Sequence, residues 1–332
     1  MIFSSRKIWV FLFCLSLLLN VGLYYQWSHE SFHQQKVETK SQNFTLLYPP
    51  LSELSHEEFI AIKQHYTTNF RDLKEAINKS VKLSPGQTYA FYFQSLNTGA
   101  WTGIHEKETF YSGSLRKIPL LVAALKQVEE GTLDFDTPIT ILPEDINPYS
   151  GPLASRGAGY TVTLFELMNY TTFYSDNTAA NALLRTVGKL EVIDVMFNTG
   201  LSFNTFLNNN NKKGIDTYPF STKEFSNSFR SLYYSSVLKR KDSQLLLSLL
   251  AHTSFSSGLP AGVPENIVVS HKVSSFFETS QHHDCGIIYY PQQPYILCVM
   301  TEGMSEPEAD QLISSISKQA YEYVDALNND NN

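Results

Sequence analysis

Cysteine is scarce: three residues in a chain of 332. So few thiols cannot build a disulfide scaffold or a zinc ribbon. Charge is sparse too, at 17% of residues, and its balance is acidic, with 25 Lys and Arg against 32 Asp and Glu for a net −7. That balance argues against a dedicated nucleic-acid surface. There is no G-x-S-x-G elbow and no phosphate-binding glycine loop, so two common active-site designs are excluded. Hydrophobic residues make up 42%, enough for a sizeable core and incompatible with global disorder.

One stretch lacks charge altogether. Arg6 and Lys7 precede residues 8–25, an uncharged run of 18 with Trp9, Tyr24, Tyr25 and Trp27 near its ends. As a helix it nearly crosses a ~30 Å hydrocarbon core, and the aromatic rings suit its interfaces. Residues 1–27 therefore read as a membrane anchor, with Cys14 a buried thiol within it. A cleaved signal peptide is the alternative, but no convincing small-x-small cleavage site follows. The basic residues keep the N-terminus inside, which places the rest of the chain outside the cytoplasm. It would be anchored at the cell surface or in the periplasm, or secreted if the segment is cleaved. Residues 28–50 are polar, end in Pro49 and Pro50, and read as a linker. Residues 51–332 read as one functional unit.

Within that unit, residues 56–81 have helical periodicity, with Phe59, Ile60, Ile62, Phe70, Leu73 and Ile77 on the buried stripe. Residues 88–95 and 101–105 flank Asn97, Thr98 and Gly99 and predict a strand hairpin. Residues 114–131 predict a helix with Gly131 as its C-cap. A helical block follows, over about 131–262. Residues 267–273, 286–290 and 295–301 predict three strands, with a turn at 291–294, and 306–327 a final amphipathic helix. Strands from both ends can share one antiparallel sheet, because hairpins join neighbours without crossover helices. The helical block is then an inserted lobe beside that sheet, and a site between lobes is a common arrangement.

Chemistry concentrates in three places. Ser114 and Lys117 form an S-x-x-K. Three other S-x-x-K matches occur, at Ser4, Ser236 and Ser315, so spacing alone is weak. The match at Ser114 follows a hairpin and Gly113 and opens an apolar helix. Residues i and i+3 share a helix face, so the amine can serve as base for a hydroxyl that is a poor nucleophile unaided. Pro119 fits only if the motif occupies the first helical turns. Taken alone, an exposed surface pair explains Ser114 and Lys117 as well. Ser175, Asp176 and Asn177 form the single S-D-N, which taken alone also suits a helix N-cap.

The order S-x-x-K, S-D-N, then a strand lysine resembles class A β-lactamases and penicillin-binding proteins. The segment YSGSLRKIPLLVAALK (111–126) is similar to the family's nucleophile helix, and YTVTLFELMNYTTFYSDNTAANALL (160–184) to its S-D-N region. GLPAGVPENIVVSHKV (258–273) is similar to the approach to its lysine strand, and DCGIIYYPQQPYILCVMTEG (284–303) to its last two strands. The similarity covers about residues 84–324. It implies an α+β, β-lactamase/DD-peptidase-like fold: a five-stranded antiparallel sheet with flanking helices and an inserted all-helical lobe.

The resemblance makes Ser114 the acylated nucleophile, Lys117 its proton acceptor and Ser175 the relay to the leaving nitrogen. Asn177 would orient substrate and brace Lys117. Lys272 would face a substrate carboxylate and hold Ser175. The N–H groups of Ser114 and Ser275 would form the oxyanion hole. Two departures matter. The family carries Lys-Thr/Ser-Gly where this chain has Lys272, Val273 and Ser274. Val273 lacks the hydroxyl, and Ser274 adds a side chain where glycine permits close approach. In addition, residues 200–218 contain no Glu; Asp216 is their only carboxylate, and Glu224 lies in the next helix. The deacylating base is missing from its usual loop, so the acyl-enzyme should be long-lived.

The resemblance therefore implies a membrane-anchored serine acyl-hydrolase acting as a monomer on β-lactams or D-alanyl, peptidoglycan-derived peptides, without cofactor or metal. The alternative is a non-catalytic cell-wall binding module on the same fold. His29, Glu30 and His33 match H-E-x-x-H, but a polar linker with no third ligand is no zinc site. Cys285 and Cys298 flank the last hairpin and are read as two buried thiols or a disulfide. His271, His282 and His283 are read as surface or supporting residues.

Overall fold

The computed structural model describes residues 46–48, 70–201 and 219–329. The segment 8–25, the H-E-x-x-H match, the helix expected before Phe70 and the loop carboxylate Asp216 lie outside them. Among the described residues no helix is long and apolar enough to cross a membrane.

Helix α1 (Arg71–Ser80) puts Leu73 and Ile77 on one buried stripe. Asp72 in its first turn and Lys79 in its last complement the helix dipole. The predicted hairpin forms from β1 (Thr88–Ser95) and β2 (Trp101–Ile104), followed by a short β3 (Thr109–Tyr111). A 3₁₀ turn (Gly113–Arg116) leads into α2 (Lys117–Glu130), which ends at Gly131 in the left-handed conformation. The helical lobe continues through β4 (Pro138–Thr140), β5 (Thr161–Thr163), α3 (Leu164–Phe173), α4 (Asn177–Val187) and α5 (Lys189–Asn198). After the undescribed loop come β6 (Pro219–Ser221), α6 (Thr222–Tyr233) and α7 (Arg240–Ala251). Three long strands close the sheet, β7 (Val269–Phe276), β8 (Gln281–Ile288) and β9 (Tyr295–Glu302), and α8 (Glu306–Asn329) ends the fold.

The main sheet has five strands in the order β2-β1-β9-β8-β7, all antiparallel. Strand parity divides the core. Ile296, Cys298 and Met300 of β9 face the helical lobe. Tyr295, Leu297 and Val299 face the other way, where α8 contributes Ile313, Ile316, Ala320 and Val324. Both faces of the sheet are therefore covered, which explains why β1 is buried at nearly every position.

Four local findings refine the expected elements. Residues 46–48, at the end of the expected linker, pack against the core: Leu46 and Leu47 are buried, and Tyr48 donates its N–H to Tyr233 O at 3.1 Å. Residues 164–181 have a helical pattern, but it is interrupted at the S-D-N, where Ser175 takes a positive φ of 53° and Asp176 caps a new helix, α4, the N-cap role those residue types suit. Strand β8 begins earlier than expected, at Gln281. His282, His283 and Asp284 are polar yet buried, and each finds a hydrogen-bond partner. His271 is buried as well, so none of the three histidines is a surface residue. The pairs β3–β6 and β4–β5 are three residues long, too short to leave a periodic signal.

Cys285 and Cys298 stand opposite each other in the β8–β9 ladder and are joined by a disulfide. This resolves the two readings of that pair.

Candidate active site

Three elements meet at the site: the 3₁₀ turn before α2, the break before α4, and β7. Ser114 lies in the turn, partly exposed, while Lys117 opens α2 and is fully buried. The turn depends on Gly113, whose φ is +47°; a Cβ there would stand 2.3 Å from Ser274 Oγ. The motif occupies the first turns, as Pro119 requires.

Lys117 Nζ donates to Asn177 Oδ1 at 2.7 Å, to Ser175 Oγ at 3.2 Å and to the Ser175 carbonyl. The helix break makes this possible. Asp176 accepts N–H bonds from Ala179 at 2.9 Å and Leu153 at 2.7 Å, anchoring the start of α4. That places Ser175 and Asn177 against the lysine. Burial pushes the Asp176 carboxyl up, opposed by those N–H donors. Asn177 Nδ2 is 3.4 Å from Asn147 Oδ1, and Ser150 Oγ donates to the Ser175 carbonyl at 3.1 Å.

Lys272 enters from β7. Its Nζ donates to Ser175 Oγ at 2.8 Å and to Val273 O at 2.9 Å, and lies 5.5 Å from the centre of the Phe255 ring. Burial lowers its pKa to about 7, against the opposing pull of the Asp284 charge. Asp284 itself binds His271 Nδ1 at 2.9 Å and takes the Leu259 N–H at 2.8 Å. His283, pushed down to about 4 by burial, binds the Tyr111 carbonyl at 3.0 Å through Nε2. Val273 and Ser275 are half-buried on β7, and His282 Nδ1 holds Ser275 Oγ at 3.2 Å.

Ser114, Lys117, Ser175, Asn177, Lys272, Val273 and Ser275 are thus brought to one place. Asn147, Ser150 and Phe255 join them without any motif of their own; they lie in irregular segments where spacing carries no information. Ser274 is the residue whose departure from glycine signals something specific, and its hydroxyl accepts the Ser114 N–H at 2.8 Å. Two glutamates in helix first turns are structurally committed. Glu166 completes a capping box with Thr163, and Glu224 one with Ser221.

A serine at a helix start, a buried lysine one turn on, and a second serine held between two amines define a serine acyl-hydrolase site. Comparison with known proteins agrees. The model of the β-lactamase enzyme family matches residues 72–324. The β-lactamase VEB-1 of Pseudomonas aeruginosa is 25% identical over 228 residues, covering 63% of this chain and 76% of the relative. The solved structure of PBP-A aligns with a TM-score of 0.70 and 25% identity, covering 78% of this chain and 97% of PBP-A. A PBP-A variant solved as an acyl-enzyme complex with penicillin G aligns equally well. The chain belongs to the β-lactamase enzyme family. It is a serine hydrolase of the type that acts on amide bonds.

Proposed function

We propose that this chain is acylated on Ser114 by β-lactams or D-alanyl peptides and releases the acyl group slowly. The observation that carries this is the convergence of Lys117 and Lys272 on one hydroxyl, that of Ser175. To act as base, Lys117 gives up one of its three donated hydrogen bonds and takes the proton from Ser114 Oγ as Oγ bonds to the carbonyl carbon. The tetrahedral oxygen is held by the backbone N–H groups of Ser114 and Ser275. When the C–N bond breaks, the proton passes from Lys117 through Ser175 Oγ to the leaving nitrogen. Asn177 braces Lys117, and Lys272 holds Ser175 and faces the substrate carboxylate.

Hydrolysis of the acyl-enzyme needs a base that positions water. Residues 200–218 offer no Glu, and Glu224 is held by its capping box. That favours a penicillin-binding or peptidase-like enzyme over an efficient β-lactamase. The acyl-enzyme complex with penicillin G solved for a PBP-A variant supports acylation by a β-lactam. Every residue in this scheme comes from one chain, so a monomer suffices. The charge-free segment 8–25 would anchor the chain in a membrane, with the catalytic unit outside the cytoplasm.

Labelling with a fluorescent penicillin, beside chromogenic cephalosporin turnover, tests the scheme. It predicts a persistent label on the wild type, none on Ser114→Ala, and turnover far below the ~10 s⁻¹ typical of enzymes. Fast turnover would show that a water-activating base is present. A label on Ser114→Ala would move the nucleophile elsewhere. A binding module would show peptidoglycan binding that survives Ser114→Ala and no label on the wild type.

A further inference from the structure

The backbone N–H of Ser114 is the donor that an acyl oxygen must reach while Ser114 Oγ attacks. In this structure it is taken. Ser274 Oγ accepts it at 2.8 Å and donates in turn to the Ser112 carbonyl at 2.9 Å. Ser274 is buried, at 3% exposure, so the bridge is not an exposed contact that water would readily replace. The backbone is shaped around it. Gly113, between the two bridged residues, has no Cβ to fill the space, and one placed there would lie 2.3 Å from the Ser274 hydroxyl.

We propose that the Ser274 hydroxyl stands in for the acyl oxygen in the oxyanion hole and gates acylation. The inference rests on Ser114 being the nucleophile, and it adds the residue that sets how fast that serine reacts. A planar carbonyl entering the site offers a neutral acceptor in exchange for a neutral acceptor. It also removes one of the donors to the Ser112 carbonyl, which keeps the Leu115 N–H at 2.9 Å. Ground-state binding therefore gains little from the hole. The tetrahedral oxyanion makes a charge-assisted bond, roughly twice as strong as a neutral one, and only that species competes decisively for the Ser114 N–H. Acylation then requires Ser274 to rotate its hydroxyl out of the hole, whatever group leaves. No atom is transferred to or from Ser274.

The test compares wild type, Ser274→Gly and Ser274→Ala. Gly clears the hole completely; Ala keeps the Cβ and strand but has no acceptor. The second-order acylation rate constant with benzylpenicillin is read by quenched intact mass, and thermal melting confirms that each variant folds. Removing a single oxyanion donor typically costs 10²–10³-fold, so freeing one should accelerate acylation of both variants by up to about 10²-fold. Unchanged or slower acylation in both overturns the gate. Amide exchange at Ser114 is measured in parallel. It should be protected in the wild type and faster in Ser274→Ala; a wild-type amide that exchanges freely overturns the gate independently of acylation. If neither the wild type nor either variant is acylated, Ser114 is not a penicillin-reactive nucleophile and the gate falls with it. A protected amide would in that case show that the bridge itself is real.

Discussion

Lys272 Nζ and Ser175 Oγ lie 2.8 Å apart although 97 residues separate them in the chain. This contact ties the sheet to the helical lobe at the point where Lys117 also reaches Ser175. A hydroxyl between two amines can pass a proton in either direction, provided at least one amine can be uncharged. Burial of Lys272 brings its pKa to about 7, so its charge is poised near neutrality.

Ser175→Ala removes the shared hydroxyl and leaves both lysines in place. Acylation by benzylpenicillin should slow by about 10²–10⁴-fold, the range for loss of a general acid–base group. Noncovalent binding of the same penicillin to Ser114→Ala should change much less when Ser175→Ala is added. Stopped-flow acylation and a binding titration check this. Equal losses in both would make Ser175 a binding residue.

Lys272 also predicts a pH signature. Folding lowers its pKa from 10.5 to about 7. Between those values the unfolded chain holds a proton that the folded chain does not. Stability from this group therefore rises with pH across that window, by up to about 1.4 kcal/mol per unit. Below about 7 both states are protonated and the penalty is constant. Lys272→Met abolishes the dependence, so its stability relative to wild type should improve as pH falls from 10 to 7. Urea unfolding at several pH values measures this. Parallel curves would contradict it.

Arg185 supports a buried carboxylate in the helical lobe. Its Nη2 donates to Asp145 Oδ2 at 2.8 Å and its Nε to Oδ1 at 3.0 Å, while Asp145 also takes the Leu142 N–H at 2.8 Å. Arg185→Ala leaves that carboxylate buried without its cation. The loss should be about 1.5–3 kcal/mol, seen in chemical denaturation. Replacing both residues by apolar ones should cost less than the single change.

The Cys285–Cys298 bridge closes a loop with a sequence separation of 13. Native disulfides of this kind contribute about 2–4 kcal/mol. Cys285→Ala with Cys298→Ala should lower the melting temperature, and the intact mass of the wild type should rise by about 2 Da on reduction of this one bond. No mass change on reduction would show two free thiols.

Much of this molecule is legible in its sequence. The hairpin β1–β2 follows from two apolar runs around Asn97, Thr98 and Gly99, and α2 from its apolar run ending at Gly131. The site residues stand in recognisable spacings, and their order along the chain points to one family. The start of β8 is hidden because His282, His283 and Asp284 look like loop residues. Only the folded structure supplies the partners that let them be buried. The break at Ser175 is hidden in the same way, because a helical pattern runs across it. Asn147, Ser150 and Phe255 reach the site from segments with no periodicity. Val273 and Ser274 stand out as departures, but only the approach of β7 to Gly113 shows where the Ser274 hydroxyl goes.

The most direct measurement is peptide-mapped mass spectrometry of the protein after brief exposure to benzylpenicillin. One penicilloyl group per chain on the peptide containing Ser114, persisting over many minutes and absent in Ser114→Ala, is the predicted result. No adduct, or an adduct on another peptide, would contradict the assignment of Ser114 as nucleophile.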